Sequence, residues 1–265
     1  MVATEKPQTT SFFQSLRAVR RKFFPRRVPK LSSFEYRGDK SISDDIKEKY
    51  AFSGELLDIF VDIRGPLINK WHHYIPIYDR HLSKFRKTKV RFLEIGVSKG
   101  GSLQMWRRYL GDDAIIYGID IDPDCFQYNG DAGMVRIGSQ IDTHFLLSVI
   151  NEMGGVDVIL DDGSHHMKHI HESLRFLFPN LNDCGLYIIE DLHTAFWPKW
   201  GGGYFKKENF FNILNQIIKD MHGWYHSQPK KHQDISDICS AVHVYDSIVV
   251  LEKNKTFKPT YSQVT

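Results

Sequence analysis

Cysteine is scarce. The 265 residues hold three, Cys125, Cys184 and Cys239, with no Cys-x-x-Cys among them. An odd, unpaired set argues against a disulfide framework and suits reduced thiols in a reducing, cytoplasmic compartment. No apolar run approaches the ~20 residues that cross a bilayer, and the first residues have no apolar stretch of the kind a secretory leader needs. Internal repeats and low-complexity tracts are missing, and so is the helical zinc motif His-Glu-x-x-His. Acidic residues are nearly absent at the start: residues 1–30 carry eight Lys or Arg against Glu5 alone. That segment is +7 within a chain of net +3, so the remainder is a mildly acidic body at −4. An acidic body without an RNA-binding motif argues against a nucleic-acid partner.

What is present begins with that basic extension. Phe12, Leu16, Val19 and Phe23 recur at helical spacing, with Arg17, Arg20 and Arg21 on other faces. Residues 12–27 therefore fit peripheral contact with an anionic inner-membrane surface. A disordered tail and an Arg-rich organelle-targeting peptide fit the same composition. Pro25 and Pro29 break any helix there. From Ser43 to about Tyr78 the pattern predicts helix, capped by Ser43 or Asp44 and carrying Ile46, Tyr50, Leu56, Leu57, Phe60, Val61 and Ile63. The aromatic, histidine-rich run Lys70–Tyr78 then precedes the first strand, placed either to wall a pocket or to pack on the sheet.

The stretch VRFLEIGVSKGGS, Val90–Ser102, organises the rest of the chain. A short apolar strand enters a glycine turn, and a helix starts near Ser102. Glycines let a backbone approach a ligand closely, and a helix start offers unpaired N–H groups. The turn lacks the second glycine of Gly-x-Gly-x-x-Gly, because Ser98 stands there, so pyrophosphate binding is poorly supported. Glu94, two residues before Gly96, suits a ligand without phosphate and with a positively charged amino acid end. S-adenosylmethionine is such a ligand.

Four more strands with acidic or polar ends come after it. Ala114–Ile119 ends in Asp120-Ile121-Asp122, where an acidic side chain suits the two hydroxyls of an adenosine ribose or simply makes a turn. Val135–Gly138 leads to Gln140, a candidate for the adenine, and to Asp142, a helix cap. Val156–Leu160 runs into Asp161-Asp162-Gly163-Ser164-His165, and Gly185–Ile189 runs into Glu190-Asp191. Up to four carboxylates thus converge at strand ends, where open α/β sheets bind ligands. Such a cluster needs a cation or shared protons, and hard oxygen donors without cysteine point to Mg²⁺. His165 beside it is a candidate general base. His165 and His169 are also spaced for a zinc pair, but no other part of a zinc motif accompanies them. Thr194–Tyr204 is an aromatic, glycine-rich loop, either a lid with stacking faces for a sugar or a packed surface loop. A helix over 208–222 and two strands, Ala241–Tyr245 and Ile248–Glu252, close the chain as an antiparallel pair.

Five blocks in order, LEIGVSKGGSLQMW, IYGIDID, DVILDDGSHH, GLYIIEDLHTAFWP and VHVYDSIVVLEK, resemble the macrolide-sugar O-methyltransferases of the mycinamicin VI 2''-O-methyltransferase type. They also resemble the related cephalosporin hydroxylase-like group, and the resemblance runs from about Lys70 to Lys253. It implies a Rossmann-like class I methyltransferase: a seven-stranded, mostly parallel sheet with an antiparallel C-terminal pair and helices on both faces. It implies S-adenosyl-L-methionine and Mg²⁺ as cofactors and a sugar hydroxyl of a glycoside or polysaccharide as acceptor. Carried over residue by residue, it puts the metal on Asp162, Glu190 and Asp191 and makes His165 the base. Glu94, Gly96 and Ser102 then line the methionine end, with Asp120 and Asp122 at the ribose and Gln140 near adenine. Spacing does not separate Asp161 from Asp162; the resemblance gives Asp162 to the metal and leaves Asp161 on the cofactor side.

The expected organisation is a basic extension (1–40), a helical segment covering the site (41–88), the methyltransferase domain (89–256) and a tail (257–265). The macrolide enzymes carry a longer region ahead of that domain, so acceptor identity and homo-oligomer formation do not transfer. Two rivals stay open: a hydroxylase-like tailoring enzyme with the same pockets, and a non-catalytic cofactor-binding module docked on membranes by the tail.

Overall fold

Short apolar runs between polar turns fold as strands, the central ones buried on both faces as parallel sheets require. They are β1 (Arg91–Ile95), β2 (Ile115–Asp120), β3 (Met134–Ile137), β4 (Val158–Asp161), β5 (Leu186–Ile189), β6 (Cys239–Val244) and β7 (Val249–Lys253). Their order is β3-β2-β1-β4-β5-β7-β6. The first five are parallel, whereas β7 pairs antiparallel with both β5 and β6. Strand order reverses between β1 and β4, and that switch point opens a crevice at the carboxyl ends of the strands. This computed structural model describes residues 28–265; the amphipathic stretch expected over 12–27 lies outside them. Of the described residues, 28–39 stand apart from the body, which runs from Lys40 to Thr265.

Among the described residues eight α-helices accompany the sheet: α1 (Ile42–Tyr50), α2 (Glu55–Asp62), α3 (Tyr74–Leu82), α4 (Gly101–Leu110), α5 (Thr143–Met153), α6 (Met167–Asn180), α7 (Phe210–Met221) and the short α8 (Gln233–Ser236). α1 to α4 pack on the face presented by Phe92, Val158, Leu160, Leu186, Ile188 and Val250. α5 to α7 pack on the opposite face, against Leu93, Ile95, Ile159, Tyr187, Ile189 and Leu251. The period-2 alternation of the strands sorts these two sets.

The helical reading of 43–78 needs correction. Ser41, not Ser43 or Asp44, caps α1, its Oγ accepting the Asp44 N–H at 3.1 Å. α1 stops at Ala51, which turns left-handed (φ 50°), and no helix covers 63–73. Gly65 and Pro66 punctuate that interval, and the extended chain brings Lys70 and Trp71 to the carboxyl end of the sheet. Helix resumes at Tyr74, with Pro76 in the first turn, where an N–H would lack an intrahelical acceptor. Asp142 caps α5 as expected, accepting the N–H groups of His144 and Phe145. No helix among the described residues is long and apolar enough to cross a membrane.

Candidate active site at the β1–β4 switch point

The glycine turn is held from both sides. Gly96 has φ 98°, and a Cβ there would lie 2.2 Å from the carbonyl oxygen of Asp162. Only glycine lets the turn after β1 lie this close to the loop after β4. From the β2 side, Asp120 Oδ2 accepts the N–H groups of Val97 (2.9 Å) and Ser98 (3.0 Å), and Oδ1 accepts that of Asp122. Burial works against the Asp120 charge, but these donors prevail and hold its carboxyl below the ordinary range. Asp122 caps the 3-10 turn Pro123–Tyr128.

Behind the turn Glu94 is fully buried. It accepts the hydroxyl of Ser102 at 2.8 Å and the indole N–H of Trp106 at 3.1 Å, both from α4. Burial pushes its carboxyl up to about 7, against the opposing pull of Lys70. A buried carboxylate on the verge of ionising is a counter-charge for an ammonium arriving in the crevice.

The carboxylates after β4 and β5 surround a cation that the chain itself supplies. Lys70 Nζ lies 2.6 Å from Asp162 Oδ2 and 2.8 Å from Glu190 Oε2, with its side chain almost entirely buried. Burial alone would lower the pKa of that ammonium, but Asp162, Glu190 and Glu94 outweigh burial and raise it. One ammonium does not balance two carboxylates: burial, then the charge of Asp162, push Glu190 well above the ordinary range. Asp191 is held separately. Its Oδ1 accepts from Trp71 Nε1 (3.1 Å) and the Tyr74 hydroxyl (3.0 Å).

The oxygens facing away from these partners meet at His165. Its Nε2 lies 3.8 Å from both Asp162 Oδ1 and Asp191 Oδ2. One ligand atom from each of the three residues falls within 4.8 Å of the others. Separations longer than a hydrogen bond, between two carboxylates and an imidazole, fit a hard divalent ion held by the oxygens. Asp191 and His165 are both left-handed (φ 55° and 54°), and that turns their side chains into the same space.

The structure thus brings Asp162, His165, Glu190 and Asp191 together on the side of β4 and β5, and Glu94, Gly96, Ser102 and Asp120 around the glycine turn. Asp161 goes elsewhere. On the opposite face of β4 it accepts from Ser173 Oγ (2.8 Å) and the Tyr187 hydroxyl (2.9 Å), sealed under α6. Gln140 joins it there, donating to Asp161 Oδ1 and accepting the Ser164 N–H at 2.8 Å. His169 does not pair with His165; its Nδ1 is 2.9 Å from Ser164 Oγ. Sequence reasoning offered the run Lys70–Tyr78 as a pocket wall but gave Lys70, Trp71 and Tyr74 no individual role in the site. The signal available was a lysine inside the aromatic run and a carboxylate cluster in need of a cation.

No protein-family model matches the chain. It is 34% identical over 204 residues to the 8-demethyl-8-(2-methoxy-alpha-L-rhamnosyl)-tetracenomycin-C 3'-O-methyltransferase of Streptomyces olivaceus, covering 72% of this chain and 51% of that one. It is also 34% identical over 198 residues to the mycinamicin VI 2''-O-methyltransferase of Micromonospora griseorubida, covering 69% and 49% respectively. Among solved structures it matches the MycE methyltransferase from the mycinamycin biosynthetic pathway, in complex with Mg, SAH and mycinamycin VI. The TM-score is 0.65 at 28% identity, over 82% of this chain and 54% of that one. The chain spans about half the length of the curated relatives it matches. Sheet order, switch-point site and sequence agree: the chain has the class I methyltransferase fold and, over its body, resembles the mycinamicin VI 2''-O-methyltransferase.

Proposed function

We propose that the chain is an S-adenosylmethionine- and Mg²⁺-dependent O-methyltransferase acting on a hydroxyl of a glycosylated small molecule or glycan. The observation that carries this reading is the convergence of Asp162, His165 and Asp191 within 4.8 Å beside the glycine turn. The named relatives, methyltransferases of sugar-bearing compounds, support it. When bound, S-adenosylmethionine supplies the methyl group and Mg²⁺ lowers the pKa of the acceptor hydroxyl.

The chain's own groups do the rest. Glu94, oriented by Ser102 and Trp106, receives the ammonium of the cofactor's methionine end, and Asp120 with Asp122 faces the ribose. Asp162 Oδ1 and Asp191 Oδ2 hold the cation, while Lys70 keeps Asp162 in place and engages both oxygens of Glu190. His165 Nε2 accepts the acceptor's proton from the space between the two aspartates, as an imidazole does near neutral pH. Its backbone carbonyl is fixed by Thr194 Oγ1 at 3.2 Å. A line of rings leads outward from Asp191, with centroids 5.2 Å apart from Trp71 to His193, 4.7 Å to Trp197 and 5.3 Å to Trp200. Trp197 is buried within this line, so the partly exposed Trp71, His193 and Trp200 are the rings that would border a sugar and position it, where orientation supplies much of the rate.

Calorimetric binding of S-adenosylhomocysteine, with Mg²⁺ and again with EDTA, tests the cofactor. Turnover on rhamnosides and other glycosides, read by product mass, tests the chemistry. Binding with a gain of one methylene unit is expected. A gain of one oxygen would convert the reading to a hydroxylase, and no binding in either buffer would remove it.

A further inference from the structure

A second cluster of ligand-type side chains lies away from the crevice, at the antiparallel edge of the sheet. One ring nitrogen each of His81 and His243 and one carboxylate oxygen of Glu252 fall within 4.8 Å of one another. They come from three elements, α3, β6 and β7. His243 pairs with Val250 and Glu252 with Ala241, so His243 and Glu252 are diagonal neighbours on the same face as Val250, which packs beneath α3. The His243 Nε2 to Glu252 Oε1 distance is 2.8 Å, and the two imidazoles meet edge to face with centroids 4.7 Å apart. The Tyr245 hydroxyl stands 2.9 Å from His81 Nε2.

We propose that His81, His243 and Glu252 form a binding site for a divalent transition-metal ion of the Zn²⁺ type, distinct from the carboxylate site of the crevice. Two imidazoles and one carboxylate are a three-ligand set that leaves a fourth position for water or Tyr245. Imidazole donors select Zn²⁺ and its neighbours over Mg²⁺, whereas the crevice presents mainly oxygen. The site is reachable, because the His243 and Glu252 side chains are 37% and 35% exposed. Arg80 and Lys84 on α3 oppose a second positive charge only weakly from the solvent side, and Glu252 offsets them. On binding, the metal takes the place of the hydrogen between His243 and Glu252, and the neutral imidazole carries its N–H on the other ring nitrogen. The ion would tie α3 to the sheet edge.

The test uses the full chain, stripped with EDTA and dialysed, in a D191N background that weakens the crevice site. Zn²⁺ is titrated by calorimetry and Co²⁺ by visible absorption. One equivalent is expected, with the intense bands of four-coordinate Co²⁺ and a raised melting temperature. Adding H243A, or the nearly isosteric E252Q, should abolish that equivalent and the thermal shift while circular dichroism is unchanged. Should H243A fail to fold, E252Q alone decides. Retention of the equivalent in folded E252Q, or only the weak bands of six-coordinate Co²⁺, would reduce the cluster to a histidine–carboxylate hydrogen bond.

Discussion

Lys70, Glu94 and His165 each answer a different demand of one site. Lys70 is the fixed cation against Asp162 and Glu190, and breaking a buried pair by removing one partner costs about 3 to 5 kcal/mol. Lys70→Met should therefore lower the unfolding free energy by about 3 kcal/mol in EDTA, with Mg²⁺ restoring part of it. Denaturant unfolding in both buffers checks this, and equal stability to the parent would deny Lys70 its role. Glu94 carries a pH prediction. Its folded-state carboxyl is raised to about 7 from 4.5, so between those values the folded chain holds a proton that the unfolded chain has lost. Its contribution is fully present below about pH 4.5 and is lost as pH rises through about 7, amounting to about 3 kcal/mol at most. Stability of the ligand-free chain should fall across that window, and Glu94→Gln should flatten the profile. The cofactor's ammonium favours the ionised carboxylate, so S-adenosylhomocysteine should bind the parent more tightly at pH 8 than at pH 6. For His165, replacement by Ala should abolish turnover and spare cofactor binding, since the ring faces Asp162 and Asp191 and not the glycine turn. Parent-like turnover would remove it as the base.

At the scale of elements, the site is made by two loops that share little sequence and touch closely. Gly96→Ala would drive a Cβ into the carbonyl of Asp162, separated by 2.2 Å at a left-handed φ. Neither backbone segment can yield cheaply, because the Asp162 N–H continues the ladder to Ile95 and the Gly96 N–H continues it to Ile119. The variant should lose several kcal/mol of stability and most of its affinity for S-adenosylhomocysteine. A calorimetric titration matching the parent would show that the two loops need not touch for binding. The alternation along β4 was legible without a structure: Asp162 shares parity with Val158 and Leu160, and Asp161 shares it with Ile159. Period 2 puts the two aspartates on opposite faces, and only the packing decides which face opens on the crevice and which hydrogen-bonds Ser173 and Tyr187. At the next strand the same rule fails. Glu190 and Asp191 are consecutive and should point apart, but the left-handed turn at Asp191 brings its side chain round to Trp71 and Tyr74. Nothing in the local sequence announces that conformation. Lys70 was hidden for a related reason, since its partners lie 92 and 120 residues away.

Across the whole molecule, apolar runs and their turns determine the sheet, and here they were sufficient. Strand boundaries moved by one or two residues, and the antiparallel closing pair is present as β6 and β7. The helical layer over the crevice was read with less accuracy because Lys70 and Trp71 are held by tertiary contacts to β4 and β5 ends and not by helical periodicity. In the proposed reading the topology divides the labour: β1, β2 and β3 would carry the cofactor side and β4 and β5 the metal side, joined at the switch point. Because the cofactor-side carboxylates have protein partners of their own, cofactor binding should not require the metal. S-adenosylhomocysteine at one hundred times its Kd should stabilise the body by about 2.7 kcal/mol. That corresponds to roughly 5 to 10 °C in Tm for a domain of this size. The shift should persist in EDTA, with Mg²⁺ adding a smaller increment from Asp162 and Asp191. If EDTA erases it, the carboxylates beside Lys70 repel one another enough to disorder the loop after β4, and Gly96 transmits that disorder to the glycine turn. The two sides would then be one cooperative site, and D162N, by removing one of the repelling charges, should restore the shift in EDTA.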